Sequence, residues 1–88
     1  MEILAERRRR LRFSTHANQR LSERGILRRW VVAATTTRPT CIGRHQIYVL
    51  SVDELNRRFG VTLNRGLRVV VDRSRAVVVT AHWQAEKG

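Results

Sequence analysis

The chain has 88 residues and a hydrophobic fraction of 42%, enough for one small domain with a core and too apolar for a disordered polyelectrolyte. Eighteen Lys and Arg against seven Asp and Glu leave a formal net charge of +11, a field that attracts nucleic acid and other polyanions. No apolar run approaches the ~20 residues of a membrane span, the charged start lacks the apolar region of a secretory signal, and the lone Cys41 allows no intrachain disulfide, so a cytoplasmic protein with no membrane partner is expected.

Residues 1–9, "MEILAERRR", read as a helical lead-in, with Ile3, Leu4 and Leu11 on one side and Glu6 meeting Arg10 at i,i+4. The run Arg7, Arg8, Arg9 and Arg10 reads alternatively as a basic arm, either solvated or laid on a phosphate backbone. "RLRF" (10–13) alternates as a short strand with Leu11 and Phe13 inward. A helix follows between Ser14, a good N-cap, and Gly25, a good stop, with Ala17 and Leu21 on its buried stripe.

A second helix is predicted over 26–34, where Leu27, Trp30, Val31 and Ala34 follow i, i+3, i+4, i+7. The Thr run and Pro39 in 35–40 end it. "RHQIYVL" (44–50) reads as a strand, and "SVDE" (51–54) as a capping box opening a short helix through Phe59 that Gly60 stops. "TLNRG" (62–66) is a turn region, and "LRVVVD" (67–72) and "AVVVTAHW" (76–83) form a hairpin joined by "RSR" (73–75). The tail 84–88 reads as loose. The expected organisation is a single α+β domain over 1–88. It comprises a basic N-terminal extension (1–10) and a core (11–83) in which N-terminal helices pack on one face of a small antiparallel sheet, leaving the other face open.

Two constellations can carry chemistry. His16, Arg20 and Arg24 lie one helical turn apart in a row, joining an imidazole that titrates near neutrality to cations that grip phosphate. His16 also sits in the first turn, where free backbone N–H groups favour an anion. The same row fits an ordinary solvated helix face. In the last strand, alternation sets Val78, Thr80 and His82 on one face and Val77, Val79, Ala81 and Trp83 on the other, taken as the core face. A three-residue connection would set Arg68 opposite Thr80, grouping Arg68, Thr80 and His82. Cys41 and His45 lack the further ligands a metal site needs, so neither a metal nor a cofactor is expected. Seventeen of the eighteen basic residues are Arg, a ratio that codon bias largely explains although it leaves the net charge unexplained.

The motif "FSTHANQRLSERGI" (13–26) resembles the opening of a family of small bacterial domains of uncharacterised function, marked by His-Ala-x-x-Arg-x-x-x-Arg-Gly-Ile and a terminal hairpin like "LRVVVD" and "VVVTAHW". The match spans 11–83. Such domains are similar to the RelE/ParE-like toxin fold and to small metal-independent ribonucleases, in which the ribose 2′-OH attacks the neighbouring phosphate. The resemblance implies an RNA-directed, toxin-like protein. Together with the net charge and the His/Arg row, the resemblance makes His16 or His82 the acid or base, sets Arg20 and Thr80 at the phosphate, and has Arg24 and Arg68 bind nucleic acid, with Arg7, Arg8, Arg9 and Arg10 as an addition to the family's form. RNA or the ribosome, and an acidic antitoxin, are the implied partners. A non-catalytic nucleic-acid or ribosome-binding module, or a basic partner of an acidic protein, are the competing readings.

Overall fold

A computed structural model of the protein describes residues 11–84. In chain order its elements are β1 (Arg12–Phe13), α1 (Thr15–Arg24), α2 (Arg28–Ala34), β2 (Thr40–Ile42), β3 (His45–Leu50), α3 (Val52–Phe59), β4 (Leu67–Asp72) and β5 (Val77–Trp83). The strands form one five-stranded sheet in the order β1-β5-β4-β3-β2. The expected lead-in helix, the run Arg7 to Arg10 and the last tail residues lie outside the described residues.

Local chemistry explains the helix ends. The Ser14 hydroxyl accepts from the Ala17 N–H and opens α1, while Gly25, at φ 67°, closes it with its N–H on the Leu21 and Ser22 carbonyls. The Ile26 N–H returns to the Leu21 carbonyl at 2.9 Å, and its side chain drops into the core. Gly25 and Ile26 are therefore architectural. Ser51 caps α3 at the Glu54 N–H as the capping box predicts, but the Glu54 carboxylate turns forward to Arg57 and Arg58 rather than back to the cap. Those two hydrogen bonds, that from Arg58 foremost, hold the Glu54 carboxyl below its ordinary range.

All three helices cover one sheet face. Ala17, Leu21, Ile26, Trp30, Val31, Ala34 and Leu55 meet Leu50, Leu67, Val69, Val71, Val78 and Ala81 in a single core. Trp30 is its aromatic hub, with ring centroids 6.4 Å from Phe59 and 5.8 Å from Trp83. Among the described residues no helix covers the opposite face: Ile42 and Val49 project from it with 60% and 42% of their surface exposed.

Three expectations about the sheet need correction. It is mixed rather than antiparallel, because β1 runs parallel to β5. The cause is α1, which travels in the same sense as β5: Ser14 Oγ donates to the Val78 carbonyl at 3.4 Å and Arg24 to the Ala81 carbonyl at 2.8 Å. Ser14 alone joins β1 to α1, so the chain does not reverse between them and β1 shares the helix's sense. Second, β2 occupies part of a segment expected to be irregular. It is three residues long and exposed throughout, so it offers no period to read.

Third, the hairpin connection is residues 73–76, one longer than expected, and β5 bulges. Asp72 pairs with Val77 and Val71 with Val78, but Val70 pairs with Thr80, leaving Val79 without a partner. The extra residue reverses the alternation within β5. Val78 and Ala81 both point into the core, whereas simple alternation placed Val78 outward and Val77 inward. Arg68 consequently faces His82, and not Thr80.

The turn itself is tied down by Asp72, whose Oδ1 accepts from the Ser74 N–H, the Ser74 hydroxyl and the Arg75 N–H. These bonds, led by that from the Ser74 hydroxyl, lower the Asp72 pKa. Ala76 closes the turn at φ 54°, a left-handed conformation costly for a residue with a Cβ. Gly66, just before β4, has no room for a Cβ, which would sit 2.9 Å from the Leu50 carbonyl oxygen. Opposite stability effects follow. Ala76→Gly raises stability by about 0.5–1 kcal/mol by relieving the turn. Gly66→Ala lowers it by about 1–3 kcal/mol through overpacking. Chemical denaturation of the two variants checks both signs.

Candidate functional site

The uncovered face carries polar groups at the end of the sheet where β5 finishes. Arg68 and His82 are directly opposed across β4 and β5, and Thr80 sits two residues back along β5, opposite Val70. All three are half-buried. Opposed side chains of this kind hold their Cβ atoms about 4.5–5.5 Å apart.

Arg24 joins this group from the neighbouring edge. Among the described residues, the carbonyls on that side of β5 beyond β1 have no strand partner, and Arg24 Nη1 takes the one at Ala81. In return the Trp83 indole N–H donates to the Arg24 carbonyl at 2.9 Å. The pair of bonds clasps the end of α1 to the end of β5. One side chain of the sequence-predicted row thus lies beside the strand cluster.

His82 is the titratable group at the centre. Its pKa lies below the ordinary 6.5, first because burial disfavours the charged ring and then because Arg68 and Arg24 repel a second positive charge. The neutral ring, a proton acceptor, is therefore the form kept near neutral pH. Linkage runs the same way: as the pH falls through 6.5, the unfolded chain takes up this proton before the folded one, and stability is lost.

The other two members of the row have different company. His16 is exposed, and its Nε2 accepts from Arg20 Nε at 3.4 Å. Arg20 also pairs with Glu23 at 2.9 Å, so part of its charge is answered locally. Among the described residues, no hydrogen bond or ion pair connects His16 or Arg20 to Arg68, Thr80 or His82. Arg7, Arg8, Arg9 and Arg10 lie outside the described residues.

Other cations are committed to the architecture. The Arg28 guanidinium lies 5.0 Å from the centre of the Phe13 ring and bonds Asn18 at 2.8 Å. Arg58 bonds Glu54 and the Thr36 hydroxyl, joining α3 to the end of α2. Cys41 pairs with Gln46 and His45 with Ile42, so these two candidate ligands occupy opposite faces of the sheet. No group of three or more His, Cys, Asp or Glu able to hold a metal occurs among the described residues. Nor is any helix among them long and apolar enough to cross a membrane.

Two clefts open between described residues. One of about 320 Å³ is lined by Leu63, Asn64, Arg65 and Trp83, at the β5 end of the sheet. Sequence reading missed it, because the turn 62–66 carries no pattern tying it to Trp83. The other, about 480 Å³, lies at the far end between Leu11, Thr35, Gln46, Tyr48, Val71, Arg73 and Ala76. There the Tyr48 hydroxyl donates to Gln46 Oε1 at 3.1 Å, and burial pushes its pKa up.

No family model, no curated protein and no solved structure matches the chain.

An NMR pH titration of the imidazole protons tests the electrostatic account. His82 titrates below 6.5, and Arg68→Ala moves its midpoint upward by removing a facing cation. A native midpoint above the ordinary imidazole value contradicts the arrangement.

Proposed function

We propose that the protein is an RNA-directed, toxin-like protein that engages the phosphate backbone on its uncovered sheet face and cleaves it without a metal, with His82 as the base. The observation that supports this reading is the neutral-biased His82 ring set between Arg68 and Arg24 on a face that none of the described helices covers. The net charge of +11 supplies the attraction that brings a polyanion to that face. The resemblance of the His-Ala-x-x-Arg motif to toxin-fold domains points in the same direction.

The chemistry divides among named groups. His82 removes the proton of a ribose 2′-OH. The 2′ oxygen forms a bond to the adjacent phosphorus, the bond from phosphorus to the 5′ oxygen breaks, and a cyclic phosphate remains. The leaving 5′ oxygen takes a proton from water, and the imidazolium returns its own to solvent. Charge that builds on the phosphate oxygens is met by Arg68 and by the donors of Arg24 not used at Ala81. The Thr80 hydroxyl, on the same face, orients the phosphate. His16 and Arg20 extend the cationic surface along α1 and take no step in the reaction.

One observation favours the non-catalytic reading. The charged groups that act on His82, Arg68 and Arg24, are both cations that hold their protons, so among the described residues the cluster offers no acid for the leaving oxygen. On that reading the same face binds RNA without cutting it. An acidic protein partner, such as an antitoxin, would use the same charge.

Incubation of purified protein with single-stranded RNA in excess EDTA separates the readings. Cleavage that survives the chelator and leaves cyclic phosphate ends is expected, with a loss of about 10²–10⁴-fold in rate for His82→Ala. His16→Ala stays within a few-fold of the native rate. Intact RNA that nevertheless binds, with affinity falling steeply as salt rises, selects the non-catalytic module. RNA neither bound nor cut overturns both readings.

A further inference from the structure

The cleft between Leu63, Asn64, Arg65 and Trp83 lies around the end of β5 from the cluster on its outer face. Trp83 follows His82 directly, with its side chain on the helix-covered side of the strand. The ring is held on two sides: its N–H is bonded to the Arg24 carbonyl, and Trp30 packs against it, tilted by 58°. A half-buried indole fixed in this way loses little freedom when a flat ring is laid on it. Leu63 supplies an apolar second wall. Arg65, exposed, brings a guanidinium able to stack or to meet a phosphate. The volume of about 320 Å³ is at the small end for a ligand site, suited to one ring system rather than a whole nucleotide chain.

Arg24 ties this cleft to the phosphate-facing cluster. Its carbonyl holds the Trp83 ring while its guanidinium reaches Ala81 beside His82. We infer that the cleft is a base-stacking subsite. It takes one unpaired nucleobase against Trp83, next to the phosphate held by Arg68 and Arg24, and so restricts the protein to single-stranded substrate. This rests on the RNA-directed reading and adds to it a site that discriminates strandedness. A base in a duplex cannot leave its stack to enter the cleft without the cost of unpairing.

The test uses the native protein and a short 2′-O-methyl oligonucleotide, which cannot be cleaved through its 2′ position. Binding is compared with that of a matched ribose-phosphate chain lacking bases, and with that of the duplex. The intact single strand is expected to bind about tenfold more tightly than the baseless chain, the scale of one base stacked on an aromatic ring. Trp83→Leu and Arg65→Ala should each narrow that difference while leaving the salt dependence due to Arg68 and Arg24 in place. Arg65 is a surface loop residue, so its variant remains informative if Trp83→Leu disturbs the Trp30 contact. Equal affinity for the strands with and without bases overturns the subsite and leaves the RNA-directed reading standing. Absence of binding to either strand overturns both.

Discussion

A single unpaired residue, Val79, sets the character of this sheet. If β5 continued from its first pair without a bulge, Thr80 would oppose Val69 and His82 would oppose Leu67, two positions fully buried among the helices. A hydroxyl and an imidazole would then be sealed in an apolar core without partners, at a cost of several kcal/mol (about 1–3 for each lost hydrogen bond). The bulge moves both to the open face and turns Ala81 and Trp83 to the core side instead, while Val78, ahead of it, faces the core in either register. It also replaces Ala81 by His82 opposite Arg68. Packing of the core and composition of the polar cluster are thus two consequences of one register shift.

The other end of the arrangement is held by α1. Its capped start bonds the edge of β5 at Val78 and its last residue clasps the same edge at Ala81 and Trp83. Those contacts consume the unpaired carbonyls that an exposed strand edge would otherwise present. They also deliver a guanidinium to the side of His82, where it adds to the pressure for a neutral ring. A helix whose sequence advertises a basic row therefore serves first as a strap. Only the residue at its end joins the candidate site.

Much of the fold was legible because the strongest signals were local. Ser14, Gly25, Ser51 and Gly60 mark helix ends by backbone chemistry that does not depend on the rest of the molecule. Three of the stripe, Trp30, Val31 and Ala34, and the Val-rich strands announced the core, whereas Leu27, expected with them, caps the helix and is exposed. What escaped reading was non-local or too short to have a period. The parallel sense of β1 depends on where α1 lies, β2 is an exposed three-residue edge, and the bulge is invisible in "AVVVTAHW" because every residue near it is an acceptable strand former. The outward placement of Thr80 and His82 with Arg68 was anticipated, yet the pairing partner was not. The cleft beside Trp83 depends on a turn meeting a strand nearly twenty positions later, a contact that no spacing rule encodes.

The open face combines exposed Ile42 and Val49 with cations gathered at one end, a surface unlike the polar outer face of a typical one-sided sheet. Its most direct examination is a chemical-shift map of the protein titrated with single-stranded RNA at moderate salt. The account predicts that the largest changes gather on Arg68, Thr80, His82 and the end of α1 around Arg24. Changes centred instead on the first turn of α1 at His16, with the β4–β5 face undisturbed, would contradict it.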